Sequence, residues 1–167
     1  MPHQKAATQE ADPRDLRGPA LDGVRVRAAK ASDLPAAIAL DAENTGLRKA
    51  AYWQERFEWY AGRQPDRFFL VAERDGAMLG FIVGEVRAWE FGSPPSGWIF
   101  AVHISPAVRQ VGLGALLFEE ICERFRAAGV QHVRTMLAKD AHLLLSFFRG
   151  LGMMGGPFIQ LEKRLGP

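Results

Sequence analysis

The spacing of apolar and polar positions changes several times along the chain, and each change marks an element. Residues 24–29, "VRVRAA", alternate apolar and basic and predict a first strand. "ASDLPAAIALDAEN" follows with helical spacing; Ser32 or Asp33 can cap it and Pro35 is tolerated in its first turn. "LRKAAYWQERFEWYAG" predicts a second helix, ending near Gly62, with Tyr52, Trp53, Arg56, Phe57 and Tyr60 on one face. Those aromatics read as core. Trp53 and Trp59 cannot both be central to one stripe, so one of them is left to line a cleft.

The period then drops to two. "RFFLVAER" predicts a strand, Asp75-Gly76 a tight turn, and "AMLGFIVGEVRAWEF" a long returning strand. "GSPPSG" breaks the pattern, and "WIFAVHI" is the next strand. A long amphipathic run to about Ala128 predicts a helix that stops at Gly129. "VQHVRTMLA" predicts a strand, "DAHLLLSFFRGLG" a helix with Asp140 as N-cap, and "PFIQLEKRL" a final strand. In a β-α-α-β-β-β-α-β-α-β order, a three-strand meander precedes a crossover. The crossover requires parallel neighbours at 98–104 and 130–138. The predicted fold class is therefore α/β, a central mixed sheet with helices on both faces.

Composition narrows this picture. Residues 1–23 are polar and charged, contain prolines and lack a period, which predicts a flexible tail before a single domain over 24–167. The net charge is only +2 and the basic residues are scattered, so nucleic acid is not an expected partner. No apolar stretch is long enough to span a bilayer, so no membrane partner is expected, and no signal-peptide core is present. The single cysteine, Cys122, excludes an internal disulfide and falls on the apolar side of a helix, as a small buried hydrophobe would. A reducing, cytoplasmic location is the expectation.

Candidate chemistry begins at "SPAVRQVGLGALLFEEI", residues 105–121. Leu113, Leu117, Ile121 and Phe125 recur every four residues, so the helix packs without help from a ligand. Its start is unusual. Gly112 and Gly114 weaken a first turn by roughly 1 kcal/mol each relative to alanine. Helix-start amides lack internal partners and carry the positive end of the dipole, and glycine lets an anion approach them. Arg109 adds a cation just upstream. A P-loop would need Lys-Ser or Lys-Thr after its last glycine, and a dinucleotide fingerprint would need a glycine where Leu117 stands. Close packing of helix on strand is the other reading of the two glycines.

The hexad Arg109-Gln110-Val111-Gly112-Leu113-Gly114, after a strand ending Val102-His103-Ile104, resembles the signature of the GCN5-related N-acetyltransferases (GNAT), [QR]-x-x-G-x-[GA]. The order of elements matches from Val24 to Leu165, and "SFFRGLGM" resembles the end of that family's last helix. The resemblance implies acetyl-CoA as cosubstrate, no metal, and transfer of an acetyl group to a primary amine by direct attack on the thioester. A non-catalytic acyl-CoA-binding regulatory domain and transfer of a longer acyl group are the alternatives. It also implies that main-chain groups of Val102, His103 and Ile104 pair with the pantetheine arm. Gln110, Val111, Gly112, Leu113, Gly114 and Ala115 would hold the pyrophosphate. Arg109 would either structure the loop or sit near phosphate. Family members often pair through their sheets, which leaves a homodimer open.

The chain departs from the family where proton transfer is concerned. Phe148 stands where many members carry an acidic tyrosine, Ala141 or Asp140 near a frequent asparagine, and Met136 and Trp98 at positions of glutamates. The thiolate must then leave unassisted or take its proton from water. Glu85, a charge inside the apolar strand "FIVGEVRAW", is the catalytic candidate, as base or substrate carboxylate. His103 has a suitable reference pKa, but its side chain is expected to point opposite to Val102 and Ile104.

Overall fold

The computed structural model describes residues 19–60, 64–109 and 112–166. They form two compact units that divide after Thr135. In the first, strands β1 (Arg25–Ala28), β2 (Arg67–Arg74), β3 (Ala77–Arg87), β4 (Ser96–Ile104) and β5 (Val133–Arg134) lie side by side in chain order. The first four run antiparallel and β5 runs parallel to β4. Helices α1 (Leu34–Thr45) and α2 (Ala50–Tyr60) precede β2, and α3 (Leu113–Ala127) links β4 to β5. The Asp75-Gly76 turn has both residues at positive φ, the geometry of a two-residue hairpin.

Alternation divides the sheet between two helical layers. Phe69, Val71, Phe81 and Val83 pack with Ala37, Ile38, Trp53, Phe57 and Tyr60 on the α1/α2 face. Trp53 is the hub, with ring centroids 5.2 Å from Phe81 and 6.0 Å from Phe69, and is 1% exposed. Trp59 is the outer tryptophan of the pair, at 54% exposure, and Tyr52 also lies outside the core. The other face receives α3 through Leu113, Leu117, Ile121 and Phe125, all buried as their four-residue spacing predicts. Burying a side chain of this size contributes about 1.5–3 kcal/mol. Phe125 comes so close to the sheet that a β-carbon on Gly97 would stand 2.5 Å from its ring. Glycine is required there by contact with the helix, not by its dihedral freedom.

Several local expectations are corrected. Leu21, placed within the loose tail by its sequence context, is buried beneath a single 3-10 turn, Pro19–Leu21. Residues 1–18 of that tail, and the helix end near Gly62, lie outside the described residues. Asp33 precedes α1 but makes no cap bond to it; Arg27 donates to its carboxylate at 2.7 and 2.9 Å, and the Lys30 amide at 2.7 Å. The strand expected over 130–138 shrinks to two residues. In the second unit, α4 (His142–Gly150) is preceded by Ala141, not Asp140, at the cap position. Residues 157–165 form no strand, and Phe158, Ile159, Leu161 and Leu165 are exposed. Strand propensity alone does not make a strand.

Candidate active site

The site is built where β4 loses its neighbour. β5 pairs with β4 only at Gly97–Val133 and Trp98–Arg134, and the Thr135 hydroxyl donates to the Ile99 carbonyl at 2.8 Å as the last link. From there to Ile104, β4 keeps β3 on one side but has no strand on its other side among the described residues. One step earlier the β3–β4 register shifts, with Gly84 opposite Ile99 but Val83 opposite Ala101. Phe100 is therefore an inserted residue, a β-bulge, which bends the strand and resets its alternation.

That reset decides which main-chain groups face the opening. The Ser105 amide donates to the Leu79 carbonyl at 2.8 Å. In an antiparallel ladder this turns the main chain of His103 and Ala101 toward β3, and that of Val102 and Ile104 away from it. Of the three strand residues singled out for pantetheine, Val102 and Ile104 thus address the opening and His103 does not. The Ile104 carbonyl is already taken, at 3.2 Å, by the Asn44 side chain.

Beyond β4, a short 3-10 turn (Pro106–Val108) leads through Arg109 to α3. Gly112 occupies the N-cap position at φ 88°, the left-handed region that favours glycine, and no side chain caps the helix. The amides of Leu113, Gly114 and Ala115 occupy its first turn; the first bond back is from Leu116 to the Gly112 carbonyl, at 3.0 Å. An uncapped helix start with a glycine N-cap fits a polyanionic group such as a pyrophosphate. Gln110 and Val111, singled out with them, lie outside the described residues. Arg109 donates to Asn44 Oδ1, which is the loop-structuring arrangement of its two expected roles.

Asn44 was not legible as a site residue, and its surroundings explain why His103 is poorly placed as a base. Its Oδ1 is engaged by Arg109, so its amide nitrogen faces the Ile104 carbonyl and, at 3.4 Å, His103 Nδ1. Nδ1 then accepts, and the ring proton belongs on Nε2, 3.3 Å from Asp41 Oδ1. Nδ1 faces the Asn44 donor, while Nε2 lies at ion-pair distance from Asp41, whose buried carboxylate oxygens make no hydrogen bond. Burial holds the His103 pKa below the usual imidazole value; Lys49 adds to this and Asp41 opposes it. Asp41 is fully buried and also meets Lys49 Nζ at 3.0 Å, which ties α1 to α2. The available signal was a carboxylate on α1 continuing the buried stripe of Ala37 and Ile38.

Glu85 lies half-buried on the α1/α2 face. Tyr60 donates to its Oε2 at 2.5 Å and Arg87 Nε to its Oε1 at 2.8 Å. Burial pushes its carboxyl up, but the bonds from Tyr60 and Arg87, with the charges of Arg87 and Arg67, bring it below the usual carboxylate range. Its cross-strand partner is Trp98, the position where the family resemblance looks for a glutamate. A carboxylate thus stands one strand over from the expected place. Tyr60 also carries the cluster to the bulge, its ring 5.1 Å from that of Phe100. Cys122 takes no part; burial pushes its thiol up to about 12. Among the described residues no group of three metal-ligating side chains occurs, and no helix is long and apolar enough to cross a membrane.

Comparison with known proteins agrees with this geometry. Residues 34–153 match the model of the acetyltransferase (GNAT) family. The L-2,4-diaminobutyric acid acetyltransferase of Nocardia farcinica (strain IFM 10152) is 30% identical over 95 residues, 57% of this chain and 47% of that protein. The chain thus spans about half the length of this curated relative. The aminoglycoside N-acetyltransferase AAC(6')-Iy, solved with CoA, superposes with a TM-score of 0.73 at 13% identity, covering 86% of this chain and 95% of that one. The aminoglycoside 6'-N-acetyltransferase AAC(6')-Ih from Acinetobacter baumannii gives 0.72 at 16% identity, covering 86% and 100%. At such identities the structural likeness speaks for the fold. Since the family model matches well over half the chain, and spans both the opening in β4 and the uncapped start of α3, the chain belongs to the GNAT family of acetyltransferases.

Proposed function

We propose that this protein is an acetyl-CoA-dependent N-acetyltransferase that acylates a small primary amine by direct attack on the thioester. The observation that carries the reading is the pairing of an open β4 edge at Val102 with the uncapped, glycine-led start of α3. Val102 and the Ile104 amide are suited to the pantetheine arm. The amides of Gly112, Leu113, Gly114 and Ala115, with Gln110 and Val111 of the same loop, are suited to the pyrophosphate. Arg109 serves the loop through Asn44. The cosubstrate supplies an activated acyl carbonyl, and the protein's task is to hold an amine against it. A relative that acts on a small diamino acid supports a small acceptor.

Glu85 is the carboxylate we assign to the acceptor. Tyr60 and Arg87 keep it ionised, which suits it to orienting an ammonium ion more than to removing a proton from one. The proton of the attacking amine then passes to water. Phe148, Met136 and Trp98 cannot protonate the departing sulfur, and a thiol, with a reference pKa near ~8.5, leaves readily without help.

The test is calorimetric titration with acetyl-CoA, followed by an unbiased amine screen that reads free CoA and acetylated product. Saturable binding with acceptor-dependent CoA release is expected. Binding without turnover across the screen would make the chain an acyl-CoA-binding module, and absence of binding would remove the whole reading.

A further inference from the structure

The Glu85 cluster holds more positive charge than the carboxylate can use. Glu85 is paired by Arg87, and the Arg67 guanidinium also acts on it from the facing position of β2. Arg67 lies over the Trp59 ring, 4.2 Å from its centroid, and has no carboxylate partner among the described residues. Arg87 spends only Nε on Glu85. Its two terminal nitrogens have no acceptor among the described residues, and its side chain is 38% exposed. The guanidinium is braced 4.8 Å above the Trp98 ring, and the indole N–H of Trp98 is itself buried without an acceptor. Donors exceed acceptors in a half-buried cluster beside the bulge, which calls for an anionic ligand group.

We propose that Arg87 receives a carboxylate of the acceptor, and that the acceptor is a small amine bearing that carboxylate at the end remote from the reacting nitrogen. The inference rests on the acetyltransferase reading above and names its substrate class. Glu85 fixes one edge of the guanidinium and Trp98 its plane, so the remaining fork is presented in one orientation, as bidentate recognition of a carboxylate requires. Spacing selects the nitrogen. Trp98 and the bulge residue Phe100 are two positions apart, about 7 Å along the strand. An α-amine stands only ~2.5 Å from its own carboxyl carbon, by ordinary bond lengths. The nitrogen that reaches the opening is therefore a side-chain or ω-amine. A polycation is a poor fit, because Asp41 is already matched by Lys49, Glu85 can serve one ammonium ion only, and Arg67 and Arg87 would repel a second cation.

Matched pairs of acceptors test this with the full chain and acetyl-CoA: ornithine with putrescine, lysine with cadaverine, and 5-aminovalerate with butylamine. The carboxylate-bearing member of each pair is expected to have at least a tenfold higher kcat/KM. In Arg87→Gln that preference should collapse by tenfold to a hundredfold, through KM, with acetyl-CoA affinity retained as evidence of folding. Equal use of both members by the parent protein, preference for the decarboxylated member or for an aminoglycoside, or an Arg87→Gln loss equal within each pair, overturns the proposal while leaving acetyl transfer intact. If Arg87→Gln does not fold, the preference of the parent protein decides. No turnover of any amine would instead refute the acetyltransferase reading, and this inference with it.

Discussion

Replacing Tyr60 with phenylalanine removes one hydroxyl from a ring that is 4% exposed and keeps its volume. The lost interaction is a 2.5 Å hydrogen bond to Glu85 Oε2. A hydrogen bond to a charged group contributes about 1.5–3 kcal/mol. The Glu85 side chain is 18% exposed, so water can replace part of it. A loss of about 2 kcal/mol follows, which for a chain of this length lowers Tm by about 4–8 °C. The pH dependence has a definite sign. The folded-state pKa of Glu85 lies below its ordinary value of 4.5, so its contribution is present above that value and is lost as pH falls through the folded pKa. Tyr60→Phe raises that folded pKa, so the gap between parent and variant should be widest at pH 7 and narrow toward pH 3. Urea unfolding monitored by tryptophan fluorescence across that range measures it. An unchanged midpoint at pH 7, or a gap that widens on acidification, would refute the reasoning.

Three further outcomes follow from named contacts. Gly112→Val forces a β-branched residue into a left-handed backbone and should weaken acetyl-CoA at least tenfold by calorimetry on folded protein; unchanged affinity would remove the helix-start cradle. Asn44→Ala leaves the Ile104 carbonyl and His103 Nδ1 without their donor, and should cost about 1–3 kcal/mol in chemical denaturation, whereas a change within 0.5 kcal/mol, the range typical of uninvolved surface sites, would show that Asn44 is not a clamp. Cys122 should resist alkylation at pH 8 in the native protein and react fully in urea; rapid native labelling would contradict its burial and its raised pKa.

Much of the fold was legible because periodicity and burial report the same thing. The four-residue spacing of Leu113, Leu117, Ile121 and Phe125 predicted the face that packs on the sheet, and the switch to alternation at Arg67 marked the meander. What escaped was set by contacts distant in sequence. Asp41 continues the buried stripe of Ala37 and Ile38, but nothing near it or Asn44 in the sequence names a partner, and only the return of β4 places His103 and Ile104 beside them. β5 pairs with β4 only up to Trp98, just before the bulge at Phe100, which no local pattern announces. For the site, the glycine hexad pointed to a cradle, while Glu85 stood out only as a misplaced charge; its partners Tyr60 and Arg87 required tertiary structure. The expected strand at 157–165 does not form among the described residues, because the apolar residues that suggested it are a weak guide to strands by themselves.

The extra residue in β4 also gives the chain something like a reading frame. Substitution at Phe100 leaves the count intact, so Val102 keeps its orientation whatever side chain precedes it. Deletion of that one residue would bring Ala101 directly after Ile99 and still opposite Val83, so Val102, His103 and Ile104 would keep their partners and faces and only the bend would be lost. A library scanning this segment should therefore tolerate many replacements at Phe100, and removing that one residue should straighten the strand without moving the later side chains to the other face. Any alignment that threads a bulge-free strand through here without a one-residue gap will assign each later position to the wrong side of the sheet.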